Sequence, residues 1–289
     1  MADPFYIRAA DWLGNACLRA VHLVLRPLPY AQRVHLGGWL GRTVLPRVPM
    51  ARRRTEANLD KVLPQMSAAE RKALIRGVAD NFGRVFVEEG MMERFVGDPS
   101  RFHPQGPGWD GYRALVEGGA KPIVVTAHYG NWEGIRTLSR DIGCPLAAVY
   151  RPHNNPYYNA DFAASLRPLS PINFPKGSEG TRQLLSHVRG GGAVFILIDQ
   201  KQTGAPLVPF LGVPAETTLT AAKLSKSDAN PLIPAISRRR ADGVSFDVFF
   251  GAPIAEGSAE ARMRAANDQL SEWISEVPEQ WFWFHRRWR

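Results

Sequence analysis

The sequence predicts an α/β protein: a central, mostly parallel β-sheet flanked by helices, preceded by a helical N-terminal region. After about Phe102, short apolar runs alternate with stretches of helical periodicity, whereas the first hundred residues read as helices alone. Strands that alternate with helices form a parallel sheet covered on both faces. The chain has 289 residues, of which 45% are hydrophobic and 22% charged, which is ordinary for a globular protein of this size.

Individual elements follow from apolar runs and capping signals. Buried strands are predicted at residues 122–127, 191–199, 231–237 and 244–250. Helices are predicted at residues 133–141, 181–189, 218–226 and 259–277. Ser67 and Glu70 form a capping-box pattern ahead of a further helix. We divide the chain into a basic helical region at residues 1–105 and an α/β domain at residues 106–289.

The segment at residues 10–30 has apolar residues at helical spacing with basic residues between them. Arg19, His22, Arg26 and two prolines interrupt it, so it predicts neither a membrane-spanning helix nor a signal peptide. Two interpretations stay open for it. It is either an amphipathic helix lying in a membrane interface or a helix packed on its own domain.

The charge balance predicts an anionic partner. The net charge is +9, and residues 1–61 contain ten Lys and Arg against four Asp and Glu. Nucleic acid, anionic lipid and an acidic carrier protein all fit such a surface. The two cysteines, Cys17 and Cys144, are far apart and lack metal-ligand spacing, so we expect no disulfide framework, no metal and no cofactor.

The motif TAHYGNWEG places His128 directly after one predicted strand, and Asp199 ends another. Ligands of open α/β sheets bind beyond the carboxyl ends of the strands. On one regular helix His128 and Glu133 would be about 140° apart and would not meet. They meet if His128 lies on a turn and Glu133 opens the next helix, and then the carboxylate would orient the imidazole. The alternative is a hydrogen bond that only shapes the turn.

Further polar residues cluster around the same strand ends. Asn131, with Gly130, suits a sharp turn whose backbone N–H groups would hold an oxyanion. Arg151 ends another apolar run, Lys176 opens a glycine-containing helix start that suits a phosphate, and Arg167 falls between these two. Solvated surface charge is the alternative for each of the basic residues.

The C-terminal stretch QWFWFHRRWR mixes aromatic and basic residues. Nucleic-acid stacking, a membrane-interface anchor and a last strand packed on the core would all use this composition. The alternation of Trp281, Trp283 and His285 favours the strand.

Five motifs occur in a fixed order along nearly the whole chain: TAHYGNWEG, VYRPHNNP, a KG segment ending in Arg182, DQ followed by VPFLG, and PEQWFWFHRRW. In this order they resemble the bacterial lipid A biosynthesis acyltransferases, the secondary (lauroyl- or myristoyl-type) acyltransferases of the wider lysophospholipid and glycerolipid acyltransferase superfamily. That superfamily has a His-x4-acid motif, and Glu133 is the acid here.

The resemblance implies a direct acyl transfer from an acyl carrier protein thioester to a hydroxyl of a lipid A precursor. It implies that His128 is the general base and Glu133 its orienting partner. It also implies that Asn131, Arg151, Arg167, Lys176 and Asp199 contribute to the substrate site. The expected partners are the acyl carrier protein, the lipid acceptor and an anionic membrane surface, with no nucleic acid. The expected location is the cytoplasmic face of the bacterial inner membrane, in a peripheral or monotopic mode.

Two alternatives to this function remain: one has a different acceptor lipid, and the other is not an enzyme. The acceptor would be another lipid, such as a lysophospholipid, an ornithine lipid or a glycolipid. Otherwise the chain would be a basic membrane-binding module without chemistry, which accounts for the charge but not for polar residues at two strand ends.

Overall fold

The computed structural model describes residues 5–225 and 229–288. Side chains are described from residue 7 onward. Five helices come first: α1 (Phe5–Leu25), α2 (Tyr30–Val44), α3 (Pro49–Val62), α4 (Ala68–Glu89) and α5 (Met92–Val96). The predicted capping box begins α4, since Ser67 and Glu70 exchange side-chain and backbone hydrogen bonds. The predicted helical N-terminal region is therefore confirmed.

Strands and helices then alternate. The elements are β1 (Phe102–Gln105), α6 (Gly106–Glu117), β2 (Ile123–Thr126), α7 (Glu133–Asp141), β3 (Ala147–Tyr150), α8 (Pro156–Ser165), β4 (Asn173–Pro175), α9 (Ser178–Arg189), β5 (Val194–Leu197), β6 (Leu207–Phe210), β7 (Val213–Glu216), α10 (Thr220–Leu224), β8 (Leu232–Arg239), β9 (Phe246–Phe250) and α11 (Ala259–Glu276). The four predicted strands and four predicted helices all occur, although Lys226, at the end of one predicted helix, lies outside the described residues.

Seven strands form one sheet in the order β1-β9-β8-β2-β5-β3-β4. All neighbouring pairs are parallel except β8 and β9, so the predicted α/β class with a mostly parallel sheet is confirmed. β6 and β7 form a separate antiparallel hairpin. Val208 and Phe210 of this hairpin are buried, so they pack in the core.

Two hydrophobic clusters cover the sheet, one on each face. Alternate residues of β2 divide between them, with Ile123 and Val125 in one cluster and Val124 in the other. The first cluster also contains Leu59 and Val78 from the N-terminal helices. The N-terminal helices therefore share a core with the sheet.

The C-terminal stretch does not form the strand that its alternation predicted. Trp281 makes a single bridge to Tyr129, and the chain then turns through residues 283–285. Trp281 and Trp283 are fully buried, and Asn58 of α3 donates to the backbone carbonyls of Trp283 and His285 at 2.8 and 2.7 Å. These contacts fix the segment as a packed turn, because buried carbonyls need a donor from outside a sheet.

Helices α2 and α4 approach each other so closely that only glycine fits at the contact. A Cβ atom on Gly41 would lie 2.1 Å from the backbone oxygen of Ala79, and one on Gly83 would lie 2.2 Å from that of Gly37. The backbone of both helices would have to separate to admit a methyl group.

We expect Gly41→Ala to lower the free energy of unfolding by about 1–3 kcal/mol, because the added methyl group meets backbone and not a flexible side chain. Gly14→Ala in α1 is the matched control, since nothing lies within 4 Å of its added Cβ. Urea denaturation of both variants measures the difference. Equal stability of the two would contradict the close contact.

Candidate functional site

Strand register brings His128 and Asp199 together. Thr126 of β2 is paired with Leu197 of the adjacent parallel strand β5. His128 lies two residues beyond the first and Asp199 two residues beyond the second. Both side chains therefore emerge at the carboxyl edge of the sheet, where α/β proteins bind ligands.

The Asp199 carboxylate binds the imidazole and its backbone. Asp199 Oδ1 lies 2.8 Å from His128 Nδ1, and Oδ2 accepts from the His128 backbone N–H at 2.9 Å and from Trp281 Nε1 at 2.8 Å. Burial alone would raise the pKa of Asp199, but the His128 charge and these donors outweigh it and lower the pKa to about 2. The carboxylate is therefore ionised at neutral pH.

This contact assigns the histidine tautomer. A carboxylate only accepts hydrogen bonds, so the neutral form of the ring has its proton on Nδ1 and its lone pair on Nε2. The ring is partly exposed, packed edge-on against Trp132 with ring centroids 4.8 Å apart. The Gln200 side-chain nitrogen lies 3.4 Å from Nε2. The carboxylate therefore leaves Nε2 as the nitrogen of this partly exposed ring that can accept a proton.

Glu133 was predicted to orient His128, but its carboxylate is paired with an arginine. It begins α7, and its carboxylate accepts from Arg136 at 2.9 Å one helical turn further on. Arg136 is fully buried and also donates to the Leu146 carbonyl and to Asn173. A buried guanidinium needs a carboxylate partner, and Glu133 supplies it. The partner of the imidazole is Asp199, which the sequence analysis had assigned to substrate binding.

Asn131 and Gly130 are also committed to the protein. Asn131 is fully buried, and its side chain donates to Glu88 at 2.9 Å and accepts from the Glu133 backbone N–H at 3.1 Å. The Gly130 N–H donates to the Gln280 carbonyl. Both ends of the Asn131 side chain and the Gly130 N–H therefore make hydrogen bonds within the protein, and their roles toward the substrate stay predictions.

Gly130 is required at the turn by its conformation and its surroundings. Its φ is +56°, and an added Cβ would lie 1.9 Å from the backbone oxygen of Ser237. The turn that follows His128 therefore runs in direct contact with β8.

A buried network holds this turn from below. Glu88 of α4 accepts from both terminal nitrogens of Arg239 at 2.7 Å, from the Tyr30 hydroxyl at 3.0 Å and from Asn131. Bidentate pairing of this kind fixes geometry as well as charge. The N-terminal helices are thereby connected to the segment that carries His128.

The basic residues predicted for the site divide into two groups. Tyr150 of β3 is paired with Pro175 of β4, and Arg151 and Lys176 each come one residue later, both exposed. Since β3 and β4 continue the sheet beyond β5, these two residues lie along the same edge as His128 and Asp199. Arg167 lies apart from them, beyond α8, at the wall of a separate cavity.

Sequence reasoning missed several supporting residues. Trp281 donates to Asp199, and the buried Arg287 donates to the Gln200 and Glu216 carbonyls, which holds the loop after β5. A polar residue at equal distance beyond two adjacent strands was a usable signal for the His128–Asp199 pair. No comparable signal points to Arg287. Within the described residues, no cluster of three or more His, Cys, Asp or Glu side chains could hold a metal ion.

Comparison with known proteins agrees with this architecture. The family model for bacterial lipid A biosynthesis acyltransferases matches residues 5–289. The chain is 27% identical over 271 residues to the lipid A biosynthesis palmitoleoyltransferase of Escherichia coli (strain K12), covering 91% of this chain and 86% of that protein. It is 24% identical over 285 residues to the lipid A biosynthesis lauroyltransferase of the same organism, covering 96% and 90%.

A lipid A biosynthesis acyltransferase of Haemophilus influenzae (strain ATCC 51907 / DSM 11121 / KW20 / Rd) is 23% identical over 283 residues, covering 94% of this chain and 85% of that protein. Fold, site and relatives together define an acyltransferase. The chain belongs to the bacterial lipid A biosynthesis acyltransferase family, as its motifs predicted.

The half-buried carboxyl of Glu89, at the end of α4, has a raised pKa. Burial, with the nearby carboxylates of Glu133 and Glu88, raises the pKa of Glu89 to about 8. The unfolded chain loses this proton near pH 4.5, so folding must retain it between pH 4.5 and about 8. The folded state is therefore penalised increasingly across that window as the pH rises.

We expect Glu89→Gln to raise the free energy of unfolding relative to wild type by an amount that grows from pH 5 to pH 8, reaching on the order of 3 kcal/mol. Urea denaturation at the two pH values measures it. Glu93→Gln, an exposed neighbour, is the control. A difference for Glu89→Gln that stays constant or shrinks with pH would contradict the raised pKa.

Proposed function

We propose that this acyltransferase moves a fatty acyl chain from an acyl carrier protein thioester to a hydroxyl of a lipid A precursor, with His128 as general base and Asp199 as its orienting partner. The observation that carries the proposal is the partly exposed imidazole whose Nδ1 lies 2.8 Å from a buried carboxylate, which leaves Nε2 as the acceptor nitrogen of the neutral ring. The family supports acyl transfer in lipid A biosynthesis. The printed names of two relatives specify palmitoleoyl and lauroyl transfer for those proteins.

The reaction follows from the tautomer. Nε2 removes the proton of the acceptor hydroxyl as its oxygen attacks the thioester carbonyl carbon. Asp199 stabilises the imidazolium that forms. The tetrahedral intermediate then collapses with cleavage of the C–S bond, and the imidazolium returns the proton to the leaving thiolate. The Gln200 amide, 3.4 Å from Nε2, is placed to donate to the developing oxyanion.

Arg151 and Lys176 are proposed to contact anionic groups of the substrates. Both are exposed and lie at the carboxyl edge of the sheet, on the strands next to the His128–Asp199 pair. The acceptor phosphate and the acidic carrier protein are the two partners that match their charge. Glu133 acts on the site only through position, because its ion pair with Arg136 fixes the start of α7.

Replacement of either member of the His128–Asp199 pair should greatly reduce turnover. In an assay with acyl carrier protein thioester and a lipid A precursor, mass spectrometry should detect the gain of one acyl chain by the acceptor. His128→Ala and Asp199→Asn should each lower kcat by about 10²–10⁴, since Asn would favour the wrong tautomer. His103→Ala, on the edge strand β1, is the control and should keep wild-type turnover.

Glu133→Gln separates the structural arrangement from the one that spacing alone predicted. We expect it to lose stability, by about 3 kcal/mol, because Arg136 would keep a buried charge without a carboxylate. Its kcat, measured below its unfolding temperature, should fall less than that of Asp199→Asn. A larger fall for Glu133→Gln with wild-type turnover for Asp199→Asn would reassign the orienting carboxylate to Glu133.

We also propose that α1 lies on the anionic cytoplasmic face of the bacterial inner membrane. Leu13, Cys17, Ala20 and Val24 recur every three or four residues of α1 and are all exposed, which forms an apolar stripe on one side of the helix. The excess of basic residues in the first 61 positions complements anionic lipid. Among the described residues, no helix is both long enough and apolar enough to cross a membrane.

The stripe predicts the lipid dependence of binding. Replacing both Leu13 and Val24 with Ser should reduce co-sedimentation with phosphatidylglycerol vesicles by about tenfold or more, given the apolar area removed. Leu207→Ser is the control, because Leu207 is equally exposed, at 63%, but lies on the hairpin β6–β7. Equal losses in both proteins would exclude α1 as the membrane-binding element.

A further inference from the structure

A cavity of about 960 Å³ lies between α1, the α4–α5 junction and α8. Helix α1 forms one wall and is held there by hydrogen bonds from Asn15 and Arg19 to Asp161 of α8 and from His22 to the Gly90 carbonyl. The volume is within the range of cavities that bind small ligands. Its wall includes Arg19, Arg26, Arg33, Arg94 and Arg167, and we call it the arginine cavity.

Arg33 is the most informative residue of the arginine cavity. It is only 6% exposed, and its hydrogen bonds go to uncharged acceptors: the Leu28 and Arg26 carbonyls and the sulfur of Met91. Burial, with the charges of Arg94 and Arg26, lowers its pKa. A buried guanidinium among other guanidinium groups is costly unless an anion joins them.

The acidic residues of the cavity do not balance this charge. Asp161 is paired with Arg19, and Glu89 is largely protonated at neutral pH, which leaves the exposed Glu93. Within residues 5–225 and 229–288, none of the four remaining arginines of the wall forms an ion pair; these are Arg26, Arg33, Arg94 and Arg167. The cavity therefore has an excess of positive charge.

Much of the remaining lining of the arginine cavity is apolar. Its remaining wall includes large hydrophobic side chains from α1, α4, the α4–α5 junction and α8; these are Leu18, Leu23, Phe86, Met91, Met92 and Phe162. Met side chains adapt to flexible apolar chains. A ligand that matches the basic and the apolar lining has a compact multivalent anion joined to a hydrocarbon chain. Guanidinium groups are well suited to bind such an anion.

We propose that the arginine cavity binds a phosphate-bearing lipid, with its phosphate on Arg26, Arg33, Arg94 and Arg167 and part of an acyl chain against the apolar wall. This proposal adds a lipid-binding site to the proposed acyl transfer. It depends on that proposed function only if the bound lipid is the acyl acceptor.

Calorimetric titration with dihexanoyl phosphatidic acid, a soluble lipid phosphate, tests the site without turnover. Arg26→Gln and Arg94→Gln should each weaken binding about tenfold, which corresponds to about 1.4 kcal/mol. These two arginines are exposed and have no described side-chain hydrogen bond, so their replacement leaves the fold intact. Arg189→Gln on α9 removes the same charge from an exposed site elsewhere and should bind as wild type.

Three results would overturn the proposal. One is unchanged binding in Arg26→Gln and Arg94→Gln. Another is equally tight binding of dihexanoylglycerol, which has the same chains without phosphate. The third is equally tight binding of inorganic phosphate, which would make this a site for free phosphate and not for a lipid.

A second arm identifies the source of the lipid. If Arg94→Gln raises the acceptor KM about tenfold at unchanged kcat, the cavity holds the acceptor lipid. If KM is unchanged while binding to phosphatidylglycerol vesicles weakens, it holds a membrane phospholipid. Both interpretations require that the calorimetric titration first shows binding of the lipid phosphate. If no acyl transfer is detected at all, the proposed reaction is refuted, whereas the binding result remains valid.

Discussion

The carboxylate of Asp199 is the constraint on which the site depends. It accepts three hydrogen bonds, from the His128 ring, the His128 backbone and the Trp281 indole, and it is buried. A buried carboxylate is stable only when such donors satisfy it. It therefore fixes the exit of β2, the exit of β5 and the C-terminal segment relative to one another, and in doing so sets the proton of the imidazole on the inner nitrogen.

A second buried carboxylate, that of Glu88, likewise connects separate elements of the fold. Its pairing with Arg239 joins α4 to β8, and its bond to Asn131 reaches the turn after His128. Glu133 and Arg136 form a third buried pair at the start of α7. The His-x4-Glu segment thus contains His128, the proposed general base, together with Asn131 and Glu133, whose hydrogen bonds hold the segment in place.

Much of this was predictable from the sequence, and the failures have a common cause. Apolar runs located the strands, and the bounds predicted for α7 are those observed, because periodicity and turn residues act locally. The location of the site beyond the strand ends followed from the fold class. The side chain that pairs with His128 could not be predicted in this way. That pairing depends on the register of β2 against β5, and the carboxylate of Glu133 is paired with the buried Arg136. The C-terminal alternation misled because the burial of Trp281 and Trp283 comes from a packed turn.

The shared core of the N-terminal helices and the sheet has a consequence for how the chain is dissected. The proposed boundary after residue 105 follows directly on β1, whose Phe102 packs in the same cluster as Phe246 of the sheet. A fragment that begins beyond it would lack α4, so Arg239 would remain in the interior opposite no acid, and Asn131 would lose its acceptor. A chimera of two relatives joined at this point would therefore fold only if both parents have an acid at position 88 and an arginine at position 239, so that this ion pair is kept.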